Sequence, residues 1–242
     1  EKMNTNSNSY TMIFATVMVV VVALVLAFVS GSLKETQTTN VELDKKKQIL
    51  TSLNIDTKDQ DVNALYNQYI VDEVVINTNA EVIENPKVEA FDIVIKKELA
   101  QKLENRALPL YIANVDGKTK YIISLFGAGL WGPIWGYVAL DEDKNTIYGT
   151  YFSHASETPG LGAEIVYPAF QQQFVGKKIM NDKQEFVSVA IMKPGQTTDE
   201  SDYVDGISGG TITSKGVEAM LMNCIGQYEK YLQISTNGGT EE

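Results

Sequence analysis

An apolar run near the N-terminus is the feature that most constrains this chain. Residues Met12 to Val29 are apolar except for Thr16, and no charged residue occurs between Lys2 and Lys34. A helix needs about 20 such residues to cross the hydrocarbon core of a bilayer, whereas the apolar region of a signal peptide is usually about 7–15 residues long. The run therefore predicts one transmembrane helix over residues 10–33, after an N-terminal tail of residues 1–9.

Composition limits what the remaining chain can do. The 242 residues are enough for a membrane segment and one further domain, and their formal net charge of −11 includes no basic stripe, so we expect no nucleic-acid partner. The single cysteine, Cys224, excludes an intramolecular disulfide and any multi-cysteine metal site built from this chain alone. His154 is the single histidine, which excludes poly-histidine sites, and we expect no metal.

The hydrophobic patterns favour an α+β domain with an antiparallel sheet and flanking helices. Apolar runs over 108–115 and 119–126 flank Asp116-Gly117, a strong hairpin signal, and runs over 134–140 and 146–152 form a second hairpin candidate. Helical patterns cover 41–53, 59–74, 96–105 and 215–232, strand-like patterns cover 87–95 and 185–192, and a helix starting at 163 is expected to be disturbed by Pro168.

From these patterns we divide the chain after the span into three parts: a membrane-proximal mixed segment over 34–105, a folded domain over 106–234 and a polar tail over 235–242.

A loop rich in glycine and hydroxyl groups precedes the last predicted helix. Residues 205–214 read Asp-Gly-Ile-Ser-Gly-Gly-Thr-Ile-Thr-Ser. Such a loop at a helix N-terminus suits a phosphate, because free backbone N–H groups and the positive end of the helix dipole face the anion. It is not a nucleotide P-loop, since Lys215 follows Ser214 and not glycine. Taken alone, it could equally be a plain turn with Thr213 or Ser214 as the helix N-cap.

The pattern Asp-x-x-Ser-Gly-x-Thr-x-Thr in this loop resembles the flavinylation motif of a family of FMN-binding domains. The family is shared by two redox-driven ion pumps, the Na+-translocating NADH:quinone reductase and the Rnf complex. The resemblance implies that Thr213 carries FMN through a phosphoester bond, made by a separate flavin transferase that passes FMN from FAD to the hydroxyl, which would need an exposed loop. The domain predicted over 106–234 would then be the FMN-binding domain.

Other loop residues take roles from the same resemblance. Gly209 and Gly210 would let the backbone fold closely around the phosphate, although the family usually has alanine at the second position. Ser208 and Thr211 are further expected cofactor-binding residues. Asp205, the acidic member of the motif, is expected to serve recognition by the transferase.

A second glycine-rich stretch, Gly127 to Gly132, matches the dinucleotide-binding pattern GxGxxG. That fingerprint must open a helix, and the residues after Pro133 read as a strand, so we reject it. The stretch instead resembles a Gly-Leu-Trp segment of the sodium-pump members of the family, a form that the Rnf members lack, and Trp131 is expected at the flavin site. The alternative is a tight turn with Trp131 and Trp135 in the core.

A third stretch, Glu157-Thr-Pro-Gly-Leu-Gly162, resembles the family's second motif, which packs beside the flavin. A rigid turn at Gly160 would allow close approach, Thr158 could hydrogen-bond the polar edge of the ring, and Leu161 could cover its apolar part. Glu157 joins the expected cofactor-binding residues. Alternatively, Glu157 is a solvated loop carboxylate and His154 a capping or core histidine.

Together the resemblances imply an electron-carrier subunit of the Na+-translocating NADH:quinone reductase. Its covalent FMN would relay electrons between NADH and quinone and so support sodium pumping. The A, B, D, E and F subunits would be its partners, and they would hold the sodium and NADH sites, since the predicted span contains no Asp or Glu. No independent enzymatic activity is expected from this chain.

Two considerations give opposite membrane orientations for the large domain. Lys34 and Lys45 to Lys47 lie after the span and Lys2 before it, which by the positive-inside rule places the large domain in the cytoplasm. Long domains translocate largely regardless of charge, however, and the resemblance implies a single-pass inner-membrane protein with its FMN domain in the periplasm. We follow the resemblance.

Three different functions stay open at the level of sequence. The chain could be the G subunit of the Rnf complex, with ferredoxin and NAD as the terminal couples. It could be a cofactor-free, membrane-anchored binding module, or a stand-alone flavinylated domain of extracytoplasmic electron transfer.

Overall fold

The computed structural model describes residues 7–234 and divides the chain into two compact units, Glu1–Lys45 and Lys46–Glu242. Within the described residues of the first unit, the chain is part of helix α1, Asn8–Ser52. Its apolar side chains from Met12 to Val29 are exposed, and among the described residues this is the one helix long and apolar enough to cross a membrane. The apolar part of α1 is therefore consistent with the predicted membrane span over residues 10–33.

The second unit is built on a five-stranded antiparallel sheet whose strands follow one another in chain order. A separate pair of short parallel strands lies later in the chain. The five strands are β1 Ile70–Ile76, β2 Leu108–Val115, β3 Lys118–Ala128, β4 Pro133–Leu140 and β5 Ile147–His154, and the pair is β6 Ala190–Met192 and β7 Tyr203–Asp205.

Short helices surround this sheet, so the predicted α+β class is confirmed. The α-helices are α2 Val62–Tyr69, α3 Ile95–Leu99, α4 Pro168–Gln171, α5 Thr211–Ile225 and α6 Glu229–Gln233. Single 3-10 turns occupy Ala90–Asp92, Leu103–Asn105, Gly162–Val166, Gln172–Phe174 and Gly226–Tyr228.

Both predicted hairpins are confirmed. Strands β2 and β3 pair across Asp116 and Gly117, whose φ angles are 52° and 80°. Positive φ at both central residues is the type I′ arrangement, whose twist matches that of the flanking strands. Strands β4 and β5 form the second hairpin, with Ile134 opposite His154 at its open end.

Helix α5 packs on the sheet through the apolar face that its sequence predicts. Val217, Met220, Leu221, Cys224 and Ile225 are all buried, and they share one core cluster with side chains of β3, β4 and β5. Spacings of three and four residues place these side chains on one side of the helix. This packing fixes the helix, and therefore its N-terminal turn, against the sheet.

Three predicted elements in the segment before residue 106 are wrong, and one of them is the helix expected over 96–105, which ends at Leu99. The helix expected over 59–74 ends at Tyr69, because the β-branched residues that follow form β1 and pair with β2. The strand expected over 87–95 is a loop with one 3-10 turn, in which Ala90 and Ile93 pack against Val75. Strand β1 lies before the proposed boundary at 105/106 and pairs with β2 beyond it, and both strands belong to the same compact unit.

Three further elements differ from the predicted ones. Pro168 does not disturb a helix but begins α4, where its missing N–H costs no hydrogen bond. The strand expected over 185–192 is limited to Ala190–Met192. The last helix begins at Thr211 rather than 215 and is followed by a 3-10 turn before α6. The predicted tails, 1–9 and 235–242, fall wholly or largely outside the described residues.

Candidate functional site

Thr213 lies in the first turn of helix α5. Its side chain is 1% exposed, and its Oγ1 donates a hydrogen bond of 2.6 Å to Oε2 of Glu157. The expectation of an exposed loop hydroxyl is therefore wrong: the helix starts earlier than predicted, and its first turn already packs against the rest of the domain. Gly210 is the N-cap and makes no side-chain cap bond, so neither Thr213 nor Ser214 is the cap.

Ser214 closes the loop instead of capping the helix. Its Oγ accepts a hydrogen bond of 3.0 Å from the backbone N–H of Ile207. The backbone N–H of Gly210 in turn donates to the carbonyl oxygen of Ile207 at 2.9 Å. These two bonds hold the glycine-rich turn in one shape directly before α5.

Glu157 is a buried carboxylate, 5% exposed. One oxygen, Oε2, accepts the hydroxyl of Thr213, and the other, Oε1, accepts the backbone N–H of Trp131 at 2.8 Å. The backbone N–H of Glu157 donates to Nδ1 of His154 at 3.1 Å. The interpretation of Glu157 as a solvated loop carboxylate is wrong, whereas His154 does act as a cap for the loop.

Two glycines enclose the Glu157 carboxylate. A Cβ on Gly129 would overlap Oε1, and a Cβ on Gly162 would overlap both Oε2 and the hydroxyl oxygen of Thr213. Neither position has room for a side chain. Glycine is needed at both because the carboxylate of Glu157 lies so close to the backbone, and not because the backbone has a positive φ angle. The three glycine-containing stretches therefore meet around one carboxylate and one hydroxyl.

A cavity of about 220 Å³ opens beside this pair. It brings together residues from all three stretches, and most of the predicted cofactor-binding residues line it. They are Trp131, Glu157, Thr158, Leu161, Gly209, Gly210, Thr211 and Thr213. Leu130, Gly162 and Ile212 also line it and were not among the predicted site residues. The sequence could have indicated these three residues, because each lies inside one of the same three stretches.

Three predicted residues do not line this cavity. Ser208 lines a different cavity of about 260 Å³, together with Lys193 and Lys215, and this cavity shares Gly209 and Thr211 with the first. Gly160 lies at an exposed turn with φ of 74°. Asp205 is exposed at the end of β7, where its backbone pairs with the side chain of Gln173.

The lining of the Thr213 cavity contains one carboxylate and no Lys, Arg or His. Positive potential there comes from the N-terminus of α5, whose first backbone N–H groups have no acceptor within the helix. A free phosphate would find no cation to pair with in this lining. A phosphoryl group bonded covalently to the oxygen of Thr213 needs no cation to hold it. The residues of this lining therefore fit an esterified phosphate better than a phosphate that can dissociate.

Apolar side chains surround the mouth of the cavity. Trp131 is 66% exposed, and Leu130, Leu161 and Ile212 are exposed beside it. The interpretation of Trp131 as a core residue is wrong, although the tight turn is present, with the N–H of Gly129 bonded to the carbonyl of Gly132. Small-molecule pockets usually measure about 300–1,000 Å³. A flavin would therefore extend out of the cavity, over these apolar side chains.

Comparison with known proteins places this site in a family. The FMN-binding domain family matches residues 129–226. The C subunit of the Na+-translocating NADH-quinone reductase of Haemophilus ducreyi is 31% identical, over 90% of this chain and 89% of that protein. The same subunit of Vibrio vulnificus is 30% identical, over 82% of this chain and 83% of that protein.

Solved structures agree. The crystal structure of the C subunit of this reductase from Parabacteroides distasonis superposes with a TM-score of 0.78 at 48% identity, covering 84% of this chain and 98% of that one. A second structure, from Shewanella oneidensis, has a TM-score of 0.64 at 23% identity and shares the fold. The chain therefore belongs to the family of C subunits of the Na+-translocating NADH-quinone reductases.

Proposed function

We propose that this chain is the subunit of the Na+-translocating NADH:quinone reductase that carries FMN covalently on Thr213. The observation that carries the proposal is the position of the Thr213 hydroxyl. It lies at a helix N-terminus, in a cavity lined by the three family stretches, with a carboxylate to accept its proton and no cation to hold a free phosphate.

The residues at the cavity would divide the binding between them. The first turn of α5 would place its N–H groups and dipole near the phosphoryl oxygens. Thr158 would offer a hydroxyl to the polar edge of the ring, and exposed Trp131 and Leu161 would cover its apolar parts. Bound in this way, FMN supplies electron-transfer chemistry, while the chain orients it and limits its contact with water.

Family membership and the apolar part of α1 support the remaining parts of the proposal. The chain would be anchored in the inner membrane by one span, with its FMN domain in the periplasm and with the A, B, D, E and F subunits as partners. It would relay electrons between NADH and quinone in that complex, in support of sodium pumping. Purified alone, it would not reduce quinone with NADH, because the NADH site would belong to a partner.

The test is the intact mass of the chain purified from its native membrane, followed by peptide mapping. We expect a mass increase equal to FMN less water on the peptide that contains Thr213. The Thr213→Ala variant should lose this increase, and the Thr197→Ala variant, which changes an exposed threonine outside the cavity lining, should keep it. An unmodified wild-type chain would contradict the proposal and favour a cofactor-free binding module.

Co-purification distinguishes the reductase from the Rnf complex and from a stand-alone carrier. Recovery with the multi-span subunits and an NADH-oxidising partner supports the reductase. Recovery with a ferredoxin-linked subunit would favour the Rnf complex, and a flavinylated chain without partners would favour a stand-alone carrier.

A further inference from the structure

The position of Glu157 is not what a phosphate ligand requires. Its Oε2 lies 2.6 Å from the oxygen of Thr213 that would carry the phosphoryl group. The charged phosphoryl oxygens of an attached FMN would lie beside this carboxylate, so the two anions would repel each other, and burial would strengthen the repulsion. A role in binding the attached phosphate therefore does not explain a buried carboxylate at this point.

A role in making the bond does explain it. We propose that Glu157 is the proton acceptor for the Thr213 hydroxyl when FMN is attached, and that it also positions that hydroxyl. This inference rests on the proposed covalent attachment. It assigns Glu157 to the maturation step rather than to holding the finished cofactor.

The step balances without any oxidation or reduction. The O–H bond of Thr213 breaks, and its proton passes to Oε2 of Glu157. The threonine oxygen forms a bond to the FMN phosphorus of FAD, and the bond from that phosphorus to the bridging pyrophosphate oxygen breaks, so that AMP leaves. The proton stays on Glu157 while AMP leaves, so the carboxyl group carries no charge as the phosphodiester forms. The proton then passes to solvent.

The surroundings of Glu157 aim one oxygen at Thr213. The N–H of Trp131 holds Oε1, which leaves Oε2 for the hydroxyl. Gly129 and Gly162 lie so close to the carboxylate that it has little freedom to turn. The N-terminus of α5 favours negative charge as it develops on the threonine oxygen.

The same geometry distinguishes Thr213 from neighbouring hydroxyls. Among the described residues, neither Ser208 nor Thr211 donates a hydrogen bond to a carboxylate, and Ser208 lies outside the cavity. The Oγ of Ser214 accepts the N–H of Ile207 and, within the part of the chain that the structure describes, donates to no carboxylate. Of the four hydroxyls in the loop, Thr213 is the one with a proton acceptor in place.

The experiment measures attachment itself. The wild-type chain and its Glu157→Gln and Glu164→Gln variants are produced without flavin transferase. Each is then incubated with a purified bacterial flavin transferase, Mg²⁺ and FAD, and the FMN adduct is followed by intact mass over time. Glu164 is a matched control, since it lies in the same segment and bonds the N–H of Gly160 rather than Thr213.

We expect the Glu157→Gln chain to be modified about 10²–10⁴-fold more slowly than wild type, the usual effect of losing a general base. The Glu164→Gln chain should be modified at the wild-type rate. The deficit of the Gln variant should shrink as pH rises, because hydroxide can then take the proton. A thermal unfolding curve verifies that each variant is folded. If the Glu157→Gln variant does not fold, a Glu157→Asp variant, which keeps a carboxylate, replaces it.

Two results would overturn the inference: equal rates for wild type and Glu157→Gln, or a folded Gln variant that is slower by the same factor at every pH. Either result would leave the proposed function intact, because wild type would still be modified on Thr213. No modification of wild type on Thr213 would instead remove the proposed function and, with it, this inference.

Discussion

Cys224 and Phe126 are joined by a reciprocal pair of hydrogen bonds. The backbone N–H of Phe126 donates to Sγ at 3.3 Å, and the thiol donates to the carbonyl oxygen of Phe126 at 3.4 Å. The pair connects the last turn of α5 to β3. Burial raises the pKa of the Cys224 thiol to about 11. The cysteine is therefore a structural, protonated thiol at neutral pH.

We expect Cys224 to resist thiol reagents in the folded protein. At pH 8 its raised pKa alone reduces the thiolate fraction by about 10²-fold relative to an ordinary cysteine, and burial adds to this protection. The rate of reaction with an aromatic disulfide reagent, measured with and without urea, tests this. Equal rates in both conditions would contradict the burial of the thiol.

The same shift predicts a loss of stability at alkaline pH. The pKa of Cys224 is higher in the folded state, so the protonated thiol contributes fully below the unfolded pKa of about 8.5. That contribution, about 3 kcal/mol from the size of the shift, is lost as pH rises through 11. Urea unfolding from pH 7 to 11 should show a steeper decline for wild type than for Cys224→Ala. If the free energy of unfolding declined equally with pH in the two proteins, the predicted contribution of Cys224 would be wrong.

Removing the hydroxyl of Tyr228 should weaken the domain. This buried hydroxyl donates to the carbonyl oxygen of Pro109 at 2.8 Å and so links the turn after α5 to β2. Tyr228→Phe leaves that carbonyl without its partner, which should lower the free energy of unfolding by about 1–3 kcal/mol. Tyr167→Phe changes an exposed side chain and should change it by less than about 0.5 kcal/mol. Urea unfolding of both variants compares them, and equal effects would contradict the role of the Pro109 bond.

Two ion pairs should differ in their contribution to stability. Lys120 bonds Asp141 and is 3% exposed, whereas Lys215 bonds Glu218 and is 53% exposed. Lys120→Met leaves Asp141 without its partner and should cost about 3 kcal/mol, the lower end for a broken buried pair because Asp141 is 31% exposed. Lys215→Met, the matched control, should cost less than about 1 kcal/mol. Thermal unfolding measures both, and a similar loss for the two would refute the distinction.

Gly162→Ala should disrupt the Glu157–Thr213 pair. The added methyl group would overlap both oxygens, so one side chain would have to move. We expect about 1–3 kcal/mol of destabilisation and a loss of flavin attachment. Gly226→Ala is the control for attachment: its φ of −57° suits alanine, its 3.2 Å contact with the ring of Phe186 requires a shift of a few tenths of an ångström, and it is not in the lining of the cavity. Normal attachment in the Gly162 variant would show that the close approach is not needed.

The hairpins could be predicted because their signals are local. Asp116-Gly117 lies between two apolar runs, and nothing distant is needed to form that turn. Strand β1 could not be separated from the helix before it, because Val71 and Val74 continue an apolar pattern that fits either structure. Pairing with β2, which is distant in sequence, decides the outcome.

The resemblance implied that the three stretches meet at one flavin site, but the direct hydrogen bond between Glu157 and Thr213 was not predicted. Glu157 and Thr213 are separated by 56 positions, and no spacing rule connects them. The burial of Thr213 did have a signal. It lies four residues before Val217 and seven before Met220, on the buried face of α5. If the predicted helix had begun at Thr211 rather than at 215, Thr213 would have been predicted as buried.

The proposed attachment of FMN to Thr213 has a mechanical consequence. Thr213 offers a short side chain on a helix whose opposite end is fastened to β3. A flavin carried there, as proposed, would have no flexible arm, so any movement between electron donor and acceptor would have to be made by the whole domain or by the proteins that come to it.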